Sequence, residues 1–393
     1  MRIPQIVLHQ HKTASLRRFH PWVFSGAIRN LPEGLRAGDV VEVTDEAGHV
    51  LGTGHYAAGS IAVRVFAFER VDDLRVMWRE KLARAMQWRS SLGLLRDKPT
   101  NACRLVFGEG DGMPGLVADW YNGVIVMQCH HAGMYRERST FTELWREIFG
   151  DALHAVYDKS AVTLHGAEEV QDGFLYGTAG DIEIYENNLL FKVDVVNGQK
   201  TGFFLDQRDN RRLLQRYVAG KKVLNAFCYS GAFSVYALAA GAREVHAVDA
   251  SARAIGWADE NVARNGFEQA RHRSFIADVF EFLSACDDDY EVMVLDPPAF
   301  AKNIKARHQA LKAYTRLNEA AIRKIKPGGI IFTFSCSQVM DDALFYGAVM
   351  HAAIRAGRRV NVLHTLGHPA DHPVSIFHPE GKYLKGLALS VNE

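Results

Sequence analysis

Two short segments in the C-terminal half pair a reactive side chain with a constrained backbone. Asp296-Pro297-Pro298-Ala299-Phe300 follows the apolar run Val292–Leu295, and Ser335-Cys336-Ser337 follows Gly329–Phe334. Prolines fix φ and end a strand ladder, so Asp296 is a carboxylate held in place at a strand end. A cysteine in a cleft is a nucleophile once its pKa is lowered. Together they suit one chemical problem. C5 of a pyrimidine is a poor carbon nucleophile. Addition of a thiolate at C6 breaks the aromaticity and gives C5 enamine or enolate character, after which C5 attacks a methyl donor in line. A base then removes the C5 proton and the thiol is eliminated. Asp296 would hydrogen-bond or protonate the N3 side of a cytosine during addition. The plainer reading of Cys336 is a small buried residue at a strand end.

The methyl donor is suggested by a different turn. Asn225-Ala226-Phe227-Cys228-Tyr229-Ser230-Gly231 closes a predicted strand and opens a predicted helix, but it lacks the GxGxxG that lets a pyrophosphate approach the backbone. A nicotinamide or flavin dinucleotide is therefore not expected. The next strand ends in Asp249, placed where an acidic group accepts ribose hydroxyls. S-adenosylmethionine (SAM) has a ribose, no phosphate and a sulfonium, and fits both features. Asp249 could instead cap the helix that begins near Ala252. Asp278, after the third strand, could meet the adenine amino group or equally cap the helix from Val279.

The elements that must position these groups read as a doubly wound α/β unit. From Lys222 onward, strand and helix patterns alternate five times, and Val360–Leu366 and Gly386–Val391 add two last strands. Open parallel sheets bind ligands at the carboxyl ends of their strands. The fourth and fifth strands are neighbours in such a fold, which sets Cys336 beside Asp296. Upstream, glycine-punctuated short strands to Phe68 suggest a compact all-β barrel, followed by an amphipathic helix within Val71–Leu95. A small α+β region follows, with hairpin signals at Asn122-Gly123 and Asn187-Asn188. The expected division is 1–70, 71–190 and 191–393. No internal repeat is visible.

Several of these segments, in this order, resemble a known family. They are Gly198-Gln199-Lys200-Thr201-Gly202-Phe203-Phe204-Leu205-Asp206-Gln207-Arg208, Asn225–Gly231, Asp296–Lys302, Thr333–Ser337, Ala370-Asp371-His372-Pro373 and Tyr383-Leu384-Lys385-Gly386, preceded by His20-Pro21-Trp22-Val23-Phe24-Ser25-Gly26. The set is similar to the bacterial 23S rRNA cytosine-5 methyltransferases with an N-terminal PUA domain, and the resemblance covers the whole chain. It implies a PUA-like RNA-binding module, a central α+β domain and a class I SAM-dependent (Rossmann-like) methyltransferase domain. It implies Cys336 as the nucleophile. It also implies SAM contacts from Asn225, Phe227, Tyr229, Ser230, Gly231, Asp249, Asp278, Asp296 and Pro297, and from Phe204, Asp206 and Arg208. S-adenosylhomocysteine would be the product. Cys228 departs from the family pattern and reads as loop filling. The family pattern allows a homodimer. Only the resemblance favours cytosine over uracil, since thiolate addition at C6 serves both.

Charge and composition narrow the partners. The 393 residues carry 46 Lys+Arg against 45 Asp+Glu, so RNA binding rests on local patches, not on bulk charge. One patch opens the chain and includes Arg17 and Arg18. Another follows Asp296: Lys302, Lys305, Arg307, Lys312, Arg316, Arg323, Lys324 and Lys326 against Glu319 alone, an excess of seven. Lys302, Lys305, Arg307 and Lys312 are the expected phosphate contacts; a solvated helix face is the plainer alternative. Five scattered cysteines give no disulfide framework and no CxxC pair, which fits a reducing cytoplasm. No apolar run is long enough to span a membrane, and Met1–Leu16 lacks the apolar core of a signal peptide. His368, His372 and His378 are interleaved with prolines and read as a rigid loop, so no metal is expected. Gly108–Gly112 reads as a tight loop, not a phosphate cradle.

Two other functions compete. A methyltransferase acting on an exocyclic amine, such as adenine N6, would use (Asp/Asn)-Pro-Pro-aromatic, but Ala299 intrudes before Phe300. An RNA-binding assembly factor with a vestigial SAM site would not need Asp249, Asp296 and Cys336 intact.

Overall fold

The computed structural model describes residues 3–164, 170–267, 271–287, 289–301 and 303–393. Its backbone packs as two compact units. The first comprises Met1–Ile184, Val193–Phe203 and Ala370–Gly381; the second comprises Tyr185–Lys192, Phe204–Pro369 and Lys382–Glu393.

The first unit opens with strands β1 (Gln5–Leu8), β2 (Trp22–Phe24), β3 (Ile28–Asn30), β4 (Val40–Thr44), β5 (Val50–Tyr56) and β6 (Ile61–Ala67), with the short helix α1 (Ala14–Arg17) after β1. They form one sheet in the order β2-β6-β5-β4-β1-β3, in which β1 and β4 run parallel. Its alternating apolar residues Ile6, Val41, Val43, Val63 and Val65 meet Leu16 of α1 in a small core. Helix α2 (Leu74–Ser91) follows, capped by the Asp73 side chain on the Val76 amide. A second sheet holds β7 (Ala102–Phe107), β8 (Leu116–Tyr121), β9 (Val124–Cys129), β10 (Ala155–Asp158) and β11 (Gly173–Gly177) in the order β11-β10-β9-β8-β7, with α3 (Ala132–Arg136) and α4 (Arg138–Phe149) after β9. Asn122 and Gly123 both have positive φ, the mark of a type I′ hairpin turn. The Gly108–Gly112 loop is structural: Asp111 accepts two hydrogen bonds from the buried Arg89 guanidinium, at 2.6 and 2.8 Å.

The hairpin β12 (Ile182–Glu186) and β13 (Leu189–Val193) turns at Asn187-Asn188, again with positive φ at both residues. The remaining elements belong to the second unit: α5 (Arg208–Leu214), β14 (Lys222–Ala226), α6 (Ala232–Ala239), β15 (Glu244–Asp249), α7 (Ala252–Arg264), β16 (His272–Ile276), α8 (Val279–Ala285), β17 (Val292–Leu295), α9 (Arg307–Lys324), β18 (Gly329–Ser335), α10 (Asp342–Ala356), β19 (Val360–Leu366) and β20 (Lys385–Val391). The sheet order is β16-β15-β14-β17-β18-β20-β19. The first five strands are parallel, and β20 inserts antiparallel between β18 and β19. The strand order reverses at β14, the switch point where an open α/β sheet leaves a ligand crevice. Val292–Leu295 is buried along its whole length, as a central parallel strand requires. Among the described residues no helix is long and apolar enough to cross a membrane.

Candidate active site

The crevice is built at the C-terminal ends of β14, β15, β17 and β18. The turn after β14 is the most constrained segment in it. Phe227, Tyr229 and Gly231 all have positive φ, at 58°, 46° and 72°. Bulky residues in the left-handed region cost about 1–2 kcal/mol each, so the fold must hold them there. It does so with backbone bonds: Cys228 N–H donates to the Val248 carbonyl at 3.1 Å, and Gly231 N–H donates to the Cys228 carbonyl at 2.8 Å. Only glycine suits position 231. A Cβ there would sit 2.7 Å from the Ala258 Cβ and 2.8 Å from its Cα, so α6 starts tightly against α7.

Asp249 braces the same turn. One carboxylate oxygen accepts from Tyr229 N–H at 3.0 Å and the other from Ser251 N–H at 2.9 Å. The cap of α7 is Ser251, whose side chain takes the Ala254 amide, so Asp249 is not spent as the helix cap. Each carboxylate oxygen has a second acceptor site, which suits ribose hydroxyls. Asn225 donates to the Ser234 hydroxyl at 2.9 Å, while its buried carbonyl oxygen has no protein partner among the described residues. That orphaned acceptor, the strained turn and the Asp249 carboxylate fit the polar groups of SAM. Asp278 is exposed and caps α8 through the Phe280 and Glu281 amides, at 2.8 and 3.1 Å. Its capping role is thus realised.

Phe204 packs edge-on against Tyr229, with ring centroids 5.0 Å apart. Asp206 is buried and accepts the Tyr383 hydroxyl proton at 2.5 Å, and Arg208 is buried at the start of α5. Ser230 is buried, and its carbonyl accepts from the Asn261 side chain at 2.9 Å. Cys228 is buried as well. Burial pushes its thiol well above the ordinary range, and the Asp249 carboxylate pushes the same way. That environment makes it inert.

The second half of the site lies at β17 and β18. Ala226, Leu295 and Thr333 lie in register across β14, β17 and β18, so Asp296 and Cys336 emerge from adjacent strand ends. Both are half-buried, and Pro297 is buried. The Tyr314 hydroxyl, fully buried on α9, lies among Ser335, Phe300, Cys336 and Asp296. Burial pushes its pKa up to about 12, with the Cys336 and Asp296 charges adding to the effect. Ser337 Oγ donates to the Ala301 carbonyl at 2.8 Å and ties the two loops together.

Of the basic residues, Lys305, Arg307 and Lys312 are exposed before and along α9; Lys302 lies outside the described residues. In the first unit, Arg17 and Arg18 are exposed, and Arg17 pairs with Asp45 at 3.0 Å. Also in that unit, His20, His378 and Glu380 are the one group among the described residues close enough to share a cation. His378 packs edge-on against Trp22 at 4.4 Å, which accounts for its burial.

Four supports escaped sequence reading. Asn261 on α7 holds the Ser230 carbonyl and accepts from Lys192 N–H at 2.9 Å. Arg211 makes a bidentate pair with buried Glu186, both bonds 2.8 Å, and donates to the Phe204 carbonyl at 3.0 Å. Tyr314 and Lys385 flank the cysteine loop. Asn261, Arg211 and Tyr314, single polar residues on helices, carry no local signature; Lys385, on β20, stood within a family-like motif.

Comparison with known proteins gives the crevice its family. The sequence model of S-adenosylmethionine-dependent methyltransferases matches residues 103–377, and that of PUA-like domains matches residues 6–68. The chain belongs to the S-adenosylmethionine-dependent methyltransferases. Ribosomal RNA large subunit methyltransferase I of Shewanella denitrificans is 40% identical over 396 residues, covering 98% of this chain and 99% of that protein. The Klebsiella pneumoniae protein of the same name is 37% identical over 397 residues, covering 99% and 98%. Two solved methyltransferase structures share the fold of this methyltransferase. One, from Streptococcus mutans, has a TM-score of 0.85 at 22% identity, covering 99% of this chain and 100% of that one. The other, complexed with S-adenosylhomocysteine, scores 0.86 at 23% identity with the same coverage. The expected class I architecture with an N-terminal PUA-like domain and the expected cofactor are both borne out.

Proposed function

We propose that this methyltransferase modifies C5 of a cytosine in large-subunit (23S) ribosomal RNA through a covalent bond between Cys336 and C6 of the base. The observation that carries the reading is the emergence of Cys336 and Asp296 from adjacent strand ends in the crevice that also holds the Asn225–Gly231 turn and Asp249. The names of the two close relatives support ribosomal RNA as the substrate, and the PUA-like match supports RNA binding.

In this reading Asn225, Phe227, Tyr229, Ser230, Gly231 and Asp249 hold SAM, with Phe204, Asp206, Arg208, Asp278, Asp296 and Pro297 completing its surroundings. SAM supplies the methyl group. Cys336 Sγ adds as the thiolate to C6 and opens the C5–C6 double bond, while Asp296, carrying a proton, donates it in a hydrogen bond to N3 and so stabilises the electron-rich ring. After C5 has taken the methyl group a base removes its proton. The electrons of that C–H bond restore the double bond, and the S–C6 bond breaks to return the thiolate. The chemistry requires both ring faces at C5 and C6, so the target base is unpaired or flipped. Lys305, Arg307 and Lys312, with Lys302 in the same run, contact RNA phosphates near the catalytic loops. Arg17 and Arg18 do so from the PUA-like part, within the division 1–70, 71–190 and 191–393. The homodimer that the family pattern allows is read from the molar mass in solution.

The test is incubation with methyl-tritiated SAM and unmodified large-subunit rRNA, wild type beside Cys336→Ala, with the labelled nucleoside identified. Label in 5-methylcytidine, lost in the variant, is expected. Label in 5-methyluridine overturns the base, and label in methyladenosine that survives the substitution overturns the thiolate route.

A further inference from the structure

The loop that carries Cys336 is tethered from the neighbouring strand by a buried cation. Lys385 opens β20 and lies in register with Ser335 at the end of β18. Its side chain is only 3% exposed. Its ammonium donates to the Ser337 carbonyl at 2.8 Å and to the Met340 carbonyl at 2.5 Å. Both acceptors lie in the segment that leaves Cys336 and leads into α10. A lysine this deeply buried is unusual unless its charge is used, because desolvation costs several kcal/mol.

We propose that Lys385 is a positioning residue for the Cys336 thiolate: it clamps the cysteine loop through two backbone carbonyls and places a fixed positive charge beside the sulfur. The proposal rests on Cys336 being the nucleophile. The charges facing this lysine are Asp341 and Asp342 at the start of α10, Lys382 before β20, and Cys336 itself. Cys336 in turn has Tyr314 of α9 on its side of the site, with Asp296 at the end of β17. Tyr314 stays protonated and neutral at working pH, and among the described residues Lys385 is a cation that interacts with the sulfur. The interaction is mutual. A thiolate favours the charged lysine, and the charged lysine favours the thiolate to the same extent. Burial draws the Lys385 pKa down to about 8, which leaves it charged at neutral pH and losing its charge above pH 8. The lysine's support of the thiolate is therefore present below about pH 8 and lost above it.

The experiment follows alkylation of Cys336 by iodoacetamide between pH 5 and 10, read by peptide mass, in the full-length wild type, Lys385→Met and Lys385→Arg. Wild-type Cys336 is expected to titrate below the free-thiol value of about 8.5. Lys385→Met should raise the midpoint by about one pH unit, the scale of one partly screened charge within about 10 Å. It should also lower kcat at neutral pH about tenfold while leaving the KM for SAM nearly unchanged. Lys385→Arg should keep most of the low midpoint. A role in folding alone would not move the midpoint. Lys385→Gln replaces the methionine variant if that one does not fold. A wild-type midpoint at or above 8.5 overturns the proposal without any variant, as does an unchanged midpoint in a folded neutral variant. Failure of the underlying reading looks different: Cys336→Ala would then retain methyl transfer.

Discussion

Replacing Gly231 by alanine tests whether the strained turn after β14 is the cofactor platform. The residue has φ of 72°, a conformation that costs a non-glycine residue about 1–2 kcal/mol. The added Cβ would lie 2.7 Å from the Ala258 Cβ and 2.8 Å from its Cα. One of those atoms belongs to the helix backbone, so relief requires α6 to shift from α7, at about 1–3 kcal/mol. The sum is about 2–5 kcal/mol, or a melting-temperature fall of about 5–15 °C for a unit of this size. Gly241→Ala separates the two contributions. Gly241 has φ of 82°, and a Cβ added there would meet nothing within 4 Å, so only the conformational cost should appear. Differential scanning calorimetry and isothermal titration with SAM are the assays. Gly231→Ala should bind SAM at least tenfold more weakly; Gly241→Ala should bind it normally. A Gly231→Ala protein that melts within about 2 °C of wild type and binds SAM within twofold would refute the reasoning.

Three further outcomes follow from the same packing. Asp249→Asn keeps one acceptor but turns an N–H toward a backbone donor. SAM affinity should fall about 10–100-fold, the value of a charge-assisted hydrogen bond, as read by titration calorimetry. Arg211→Met leaves Glu186 as an unpaired buried carboxylate and should cost about 3–5 kcal/mol in urea denaturation, with much of the loss recovered in the double variant with Glu186→Met. In the first unit, burial holds the His55 pKa down at about 3 and that of His131 at about 4. The unfolded chain binds these protons near pH 6.5 and the folded chain does not. Their contribution is thus fully present above about pH 6.5 and is lost as pH falls toward 4. At pH 5 the loss is roughly 2 kcal/mol for each, measurable as a lower urea midpoint than at pH 7.5.

Local sequence determined the elements and the candidate chemistry. The five-fold strand and helix alternation from Lys222 onward is present in β14 through α10, because buried parallel strands and amphipathic helices have distinct periods. The prolines after Asp296 and the Asn-Gly and Asn-Asn turns are signals that a single residue type imposes on its own backbone. The adjacency of Asp296 and Cys336 followed from the winding rule of parallel sheets and is realised in the β17–β18 register. Tertiary structure decided the rest. Asp249 braces a turn and leaves capping to Ser251, while Asp278, in a similar position one strand later, caps its helix. Both begin as an acid after a strand, and only the path of the following backbone separates them. The Asn261, Arg211–Glu186 and Lys385 tethers join segments from 25 to 69 residues apart. No local pattern encodes such pairs, because their partners are backbone carbonyls or buried charges that meet only once the sheet has formed.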